Sequence, residues 1–85
     1  PAAFARDPRL VWEWYAWRRE LVARCEPNAA HRAIARLAAR RPGVTVITQN
    51  VDGLHQRAAR DAGGGAVVAL HGSLFATRCS RCDHV

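Results

Sequence analysis

An 85-residue chain that is 49% hydrophobic fills one small folding unit near the lower limit for a self-sufficient core, so an active site of any size is expected to be incomplete within it. Its formal net charge of +6 comes from thirteen arginines and no lysine, scattered from Arg6 to Arg81, a solvated surface more than a phosphate-tracking stripe, and nucleic acid is not an expected partner. The longest apolar runs fall far short of the roughly 20 residues that cross a bilayer, no leader-like segment opens the chain, and three cysteines are an odd number, so a reducing, cytoplasmic setting without membrane is expected.

Asp7 followed by Pro8 predicts a helix start, an acceptor for orphan amides and then a ring already set to helical φ. From there Leu10, Trp14, Trp17 and Leu21 recur at helical spacing as one apolar stripe, with Trp12 at its margin, and the tryptophans are assigned to the core. Pro27 ends this helix near Glu26. Asn28 then caps a second helix whose Ala30, Ile34, Leu37 and Ala38 share a face, and Arg-Arg-Pro-Gly at 40–43 closes it. Residues 44–48 are apolar and β-branched, which predicts a strand buried on both faces and hence a parallel sheet. A short helix over 52–59, a glycine loop at 63–65 and a second buried strand over 66–70 follow. Eighteen residues separate Thr48 from Val67, enough for the crossover that parallel strands require. The expected fold class is α/β, a strand-helix-strand unit preceded by two helices.

In a parallel unit both strands open at the same sheet edge, where ligands of open α/β folds bind. Gln49, Asn50 and Asp52 follow the first strand and His71 follows the second, so these four are expected to face one crevice. Amides and a carboxylate suit a ligand bearing hydroxyl and carboxamide groups, such as a ribose with a nicotinamide. An imidazole at His71 suits proton removal from a sugar hydroxyl. A plainer reading also fits, in which Asn50 and Asp52 cap a turn and a helix and His71 is a hydrogen-bonded loop residue.

Tyr15 and Arg18, three apart, project from one helix face, where a guanidinium fork and a phenol can meet a single carboxylate. An amphipathic helix edge with a surface arginine produces the same pair. Cys79 and Cys82 have the spacing at which two thiolates share a tetrahedral metal, although a structural zinc site takes four ligands. His84 is a candidate third. A redox dithiol fits less well, because the pair does not open a helix after a first strand. Cys25 is expected to be a buried free thiol, His31 a capping or surface residue and His55 a solvated one. The triple glycine does not open a helix after a strand, so it is a connection and not a dinucleotide fingerprint.

The strings ITQNVDGLH and LHGSLFATRCSRC, with EPNAAHRAIARL ahead of them, closely resemble the sirtuins, the NAD-dependent protein lysine deacylases. The resemblance implies that residues 1–78 are part of a Rossmann-like, parallel-sheet NAD-binding domain and that 79–85 begin a small zinc-binding module. It implies that Gln49 and Asn50 contact the nicotinamide ribose, that Asp52 holds the nicotinamide carboxamide and that His71 is the general base. In the family the acyl oxygen of a modified lysine attacks the ribose carbon, nicotinamide leaves, and the acyl group ends on ADP-ribose. Partners would then be acyl-lysine proteins or peptides. Tyr-Ala-Trp-Arg at 15–18 resembles the Y-x-x-R of sirtuins that remove succinyl, malonyl or glutaryl groups. A second cysteine pair follows later in sirtuins, which makes Cys79 and Cys82 half of a structural zinc site.

The chain departs from the family pattern in several places. The glycine-rich segment that binds the NAD phosphates, the later strands and the second cysteine pair have no counterpart here, and position 1 is proline and not an initiating methionine. The connection at 60–65 is longer than usual, and Ala69 replaces an acidic residue common before the His-Gly. An internal fragment is the expectation, one that binds NAD weakly or not at all and exposes sheet edges and apolar surface.

Overall fold

A computed structural model describes residues 1–82 and 84. Four helices and two strands follow one another as α1 (Ala2–Arg6), α2 (Pro8–Ala23), α3 (Ala29–Arg40), β1 (Val46–Thr48), α4 (Leu54–Asp61) and β2 (Val67–Ala69). The architecture is α/β, as expected. Asp7 caps α2 by accepting from the Leu10 amide at 3.1 Å, with Pro8 in its first turn. At α3 the Asn28 side chain accepts from the His31 amide at 3.0 Å, while His31 Nδ1 accepts from the Asn28 amide at 3.1 Å. This reciprocal pair satisfies two orphan donors, with histidine in the place a capping box usually gives to Glu or Gln.

The strands pair in parallel, Val46 with Val67, Ile47 with Val68 and Thr48 with Ala69. Both are shorter than the sequence predicts, because regular pairing spans only these three residues on each strand. The crossover helix also starts two residues late. Gly53 takes a left-handed φ of 74°, a conformation that glycine adopts without steric cost, so the chain turns before α4 begins at Leu54.

The expected burial of both sheet faces is not found. Val46, Thr48, Val67 and Ala69 lie on the more covered face, whereas Ile47 is 64% and Val68 45% exposed. Among the described residues no element covers that second face. A similar reason corrects the assignment of the tryptophans. Trp12, Trp14 and Trp17 are exposed, along with Leu10 and Leu21, because the short α1 covers the aromatic side of α2 only in part. Their contacts are local instead, with Trp14 edge-on to Tyr15 at 5.0 Å and tilted against Trp17 at 6.4 Å. Cys25 is exposed as well, its thiol directed to the Leu21 carbonyl at 3.4 Å, so it is not the buried thiol expected.

The buried centre is built from small side chains. Ala35, Ala58, Ala59, Leu74, Pro27 and Thr48 are buried, and α3 lies against α4. The face of α3 turned inward is His31, Ala35 and Ala38, at i, i+4 and i+7, and Ile34 and Leu37 point outward. Alanine on both helices lets them approach closely, which a bulky stripe prevents. Replacing Ala58, 2% exposed, with leucine is therefore expected to destabilise the full-length protein by about 1–3 kcal/mol, read as a lower thermal unfolding midpoint.

Two arginines tie distant segments to this centre. Arg57 on α4 donates to the Cys25 carbonyl at 2.6 Å and to Glu26 at 3.1 Å, fixing the connection between α2 and α3. Arg19 on α2 holds the stretch after β2 through three acceptors. The molecule is nonetheless elongated, 48 × 27 × 18 Å, with a radius of gyration of 15.5 Å. A compact chain of this length would have a radius near ~12 Å. No helix among the described residues is long and apolar enough to cross a membrane.

A candidate active site at the strand ends

Thr48, the last residue of β1, organises the turn that follows it. Its carbonyl accepts from the Leu70 amide at 3.0 Å, extending the sheet past β2, and its buried hydroxyl accepts from the Asn50 amide at 3.0 Å. The chain therefore bends away immediately after Gln49. Two residues on, Asp52 Oδ1 accepts from the Leu54 amide at 3.0 Å, an Asx turn leading into α4. The capping role that the plainer reading gave Asp52 is thus present. Among the described residues its second carboxylate oxygen meets no protein donor and is free for a ligand.

The segment after β2 closes over this turn. Leu74, buried, donates its amide to the Val51 carbonyl at 2.9 Å, which seats 71–74 against 49–52. Between them and α2 lies a cavity of about 310 Å³, lined by Arg18, Val22, Gln49, Asn50, Val51, Asp52 and Leu74. Apolar side chains from three segments line part of it, and two amides, a carboxylate and a guanidinium the rest. A neutral, hydroxyl-rich ligand with one carboxamide fits such a wall, because every polar group on it has a donor or acceptor to meet.

Arg18, Gln49, Asn50 and Asp52 are thus brought together. Arg18 also lies 5.5 Å over the Trp14 ring, which orients its guanidinium. Tyr15 is not in this cavity. It lines a neighbouring one of about 220 Å³ with Val11, Trp12, Arg19 and Leu74, so that Leu74 borders both. His71 does not line the cavity either. It lies in an exposed turn two residues past Ala69, as Asn50 lies two past its register partner Thr48, so both sit at the same sheet edge.

Cys79 and Cys82 are exposed and lie in a tight turn. Cys79 Sγ accepts from the Arg81 amide at 3.4 Å, and its own amide donates to the His84 carbonyl at 2.9 Å. The Arg81 amide first, then the amide and thiol of Cys82, pull the Cys79 thiol below its ordinary range by stabilising the thiolate. No group of three or more metal-binding side chains converges among the described residues. Asp83 and Val85, within the expected 79–85 module, lie outside the described residues.

Two features were not legible locally. Arg19 reaches acceptors 55 to 58 residues away, and nothing in its own helix marks it apart from Arg18. His31, expected to cap or to lie at the surface, does cap α3, but its contact with His55, expected to be solvated, was not legible: both rings are half-buried and meet edge to face at 4.6 Å where α3 and α4 begin.

A model of the Sir2 family matches residues 1–85. The chain is 58% identical over 83 residues to an NAD-dependent protein deacylase of Methylococcus capsulatus, covering 98% of this chain and 31% of that protein. It is 48% identical over 84 residues to an NAD-dependent protein deacylase of Aquifex aeolicus, covering 99% of this chain and 34% of that one. Among solved structures, a Sir2 homolog–NAD complex superposes with a TM-score of 0.86 at 50% identity, over 99% of this chain and 31% of the other. An ADP ribose complex of a mutant Sir2 homologue gives 0.83 at 51%, over 99% and 32%. The chain therefore spans 31% and 34% of the length of those two curated relatives.

Proposed function

The chain belongs to the Sir2 family, and from that premise we propose that its full-length protein is an NAD-dependent protein-lysine deacylase whose nicotinamide side is built from these residues. The observation that carries this reading is the convergence of Gln49, Asn50, Asp52 and Arg18 on one cavity at the parallel strand ends. NAD, when bound, supplies the ribose carbon and hydroxyl that take over the acyl group as nicotinamide departs. Gln49 and Asn50 hold ribose hydroxyls, each amide able to donate and accept without an ionic partner. Asp52 accepts from the carboxamide through the oxygen not used by Leu54. His71, from the turn after β2, takes the proton of a ribose hydroxyl.

We assign the acyl end to Arg18, whose planar fork matches the terminal carboxylate of a succinyl, malonyl or glutaryl group. Tyr15, in the adjoining cavity across Leu74, serves as the second donor. Substrates are accordingly acyl-lysine proteins or peptides, with acidic acyl groups preferred over acetyl. The test is nicotinamide release by the full-length protein. It should need both NAD and an acyl-lysine peptide and run faster with succinyl-lysine than with acetyl-lysine; release from NAD alone at the same rate would sink the reading. The 85 residues alone contain no glycine-rich phosphate cradle, and micromolar NAD binding by them in calorimetry is not expected.

Cys79 and Cys82 serve as two of the four ligands of a structural zinc. Amides donating to the Cys79 sulfur support this, because they favour the thiolate that a metal requires. The full-length protein is expected to carry about one zinc per chain, measured by metal analysis. Cys79→Ser should lower that content and the unfolding midpoint together. Unchanged content would exclude the cysteine from the ligand set.

A further inference from the structure

Arg19 is the half-buried arginine of α2 whose side chain leaves its own helix. Its Nε donates to the Leu74 carbonyl at 2.7 Å, and Nη2 donates to the Ala76 carbonyl at 3.3 Å and to Thr77 Oγ1 at 3.1 Å. The guanidinium also lies 5.7 Å over the Trp12 ring. A planar fork held by three acceptors and a ring fixes both the place and the orientation of the segment it grips, which a point-charge ammonium does not.

Leu74 is gripped from both sides. While its carbonyl accepts from Arg19, its amide donates to the Val51 carbonyl, and Val51 lies between Asn50 and Asp52. Its side chain is buried and borders the cavities of both Tyr15 and Arg18. A continuous path of hydrogen bonds thus runs from α2 through Leu74 to the turn holding the amides. His71 is three residues before Leu74 on the same segment.

We propose that Arg19 is a positioning residue of the site: acting through Leu74, it sets the separation of α2, which carries Arg18, from the 49–52 turn and anchors the segment that follows His71. The role rests on the reading of that turn as the NAD wall. Arg19 does not line the cavity of Arg18, Gln49, Asn50 and Asp52, and borders the adjoining one. Its removal widens the cavity on one side without deleting any ligand-binding group.

The test uses the full-length protein with Arg19→Ala, Arg19→Lys and, as control, Arg9→Ala, whose exposed pair with Glu13 lies within α2. Amide exchange followed by NMR should show faster exchange at Leu74 in Arg19→Ala while Leu70, bonded to Thr48 within the sheet, stays protected. The kcat/KM for NAD should fall about tenfold to a hundredfold, with KM rising, since misplacement by an ångström costs that much. Arg19→Lys should fall between wild type and Arg19→Ala, and Arg9→Ala should match wild type. If Leu74 and Leu70 lose protection in step and activity falls only with the folded fraction at unchanged KM, Arg19 is merely a stabilising contact and the proposal is wrong. Should Arg19→Ala fail to fold, Arg19→Lys decides: wild-type KM and Leu74 exchange would overturn the role, and a raised KM with faster Leu74 exchange would support it. Absence of nicotinamide release by wild type would refute the deacylase reading instead, and the Leu74 exchange would still decide whether Arg19 holds the turn.

Discussion

Replacing His71 with alanine in the full-length protein should lower acyl-dependent nicotinamide turnover by about 10²–10⁴-fold, the usual contribution of a positioned general base. The expectation follows from the parallel register. With Thr48 opposite Ala69, the two strands deliver Asn50 and His71 to the same edge, one from the turn that lines the cavity and the other from the turn beside it. The side chain is exposed and makes no hydrogen bond among the described residues, so its removal should cost no more than about 0.5 kcal/mol of stability. NAD binding should persist, because Gln49, Asn50 and Asp52 are untouched. Steady-state kinetics beside calorimetry separates these effects. Activity within about tenfold of wild type would remove His71 from the chemistry, since a base contributes more than that.

Arg18→Met should abolish the preference for acidic acyl groups while leaving deacetylation in place. Methionine keeps an unbranched aliphatic side chain in the cavity wall beside Val22, and deletes the guanidinium fork together with its contact over the Trp14 ring. A charge-assisted hydrogen bond to a carboxylate is worth enough to favour succinyl over acetyl by roughly tenfold to a hundredfold, so the ratio of kcat/KM values should fall by about that factor. Competition between succinyl and acetyl peptides reads the ratio directly. An unchanged ratio would mean that Arg18 is a surface residue of an amphipathic helix, as its exposure alone would allow.

The parts of the fold legible in the sequence are those fixed by neighbouring residues. Asp7 before Pro8 and Asn28 before His31 mark helix starts because a cap satisfies amides within one turn of itself. The crossover from Thr48 to Val67 is legible because parallel pairing demands its length. The strand-end placement of Gln49, Asn50 and Asp52 follows from the same topology.

What could not be read depended on partners far along the chain. The stripe of Leu10, Trp14, Trp17 and Leu21 identifies an apolar face but does not say what covers it, and in the described residues all four stay exposed. On α3, hydrophobicity favours the face with Ile34 and Leu37, yet close approach to Ala58 and Ala59 turns Ala35 inward. Apolar patterning locates a face that avoids water, and the size of the side chains decides which face meets a neighbouring helix. Arg19 is indistinguishable from Arg18 in sequence, and only the return of 74–77 against α2 separates the residue that lines the cavity from the one that holds its wall.

The central claim is tested most directly by mass spectrometry of the full-length protein incubated with NAD and a succinyl-lysine peptide. The account predicts three products in equal amounts: unmodified lysine peptide, nicotinamide, and ADP-ribose carrying the succinyl group. Free succinate formed without consumption of NAD would contradict it.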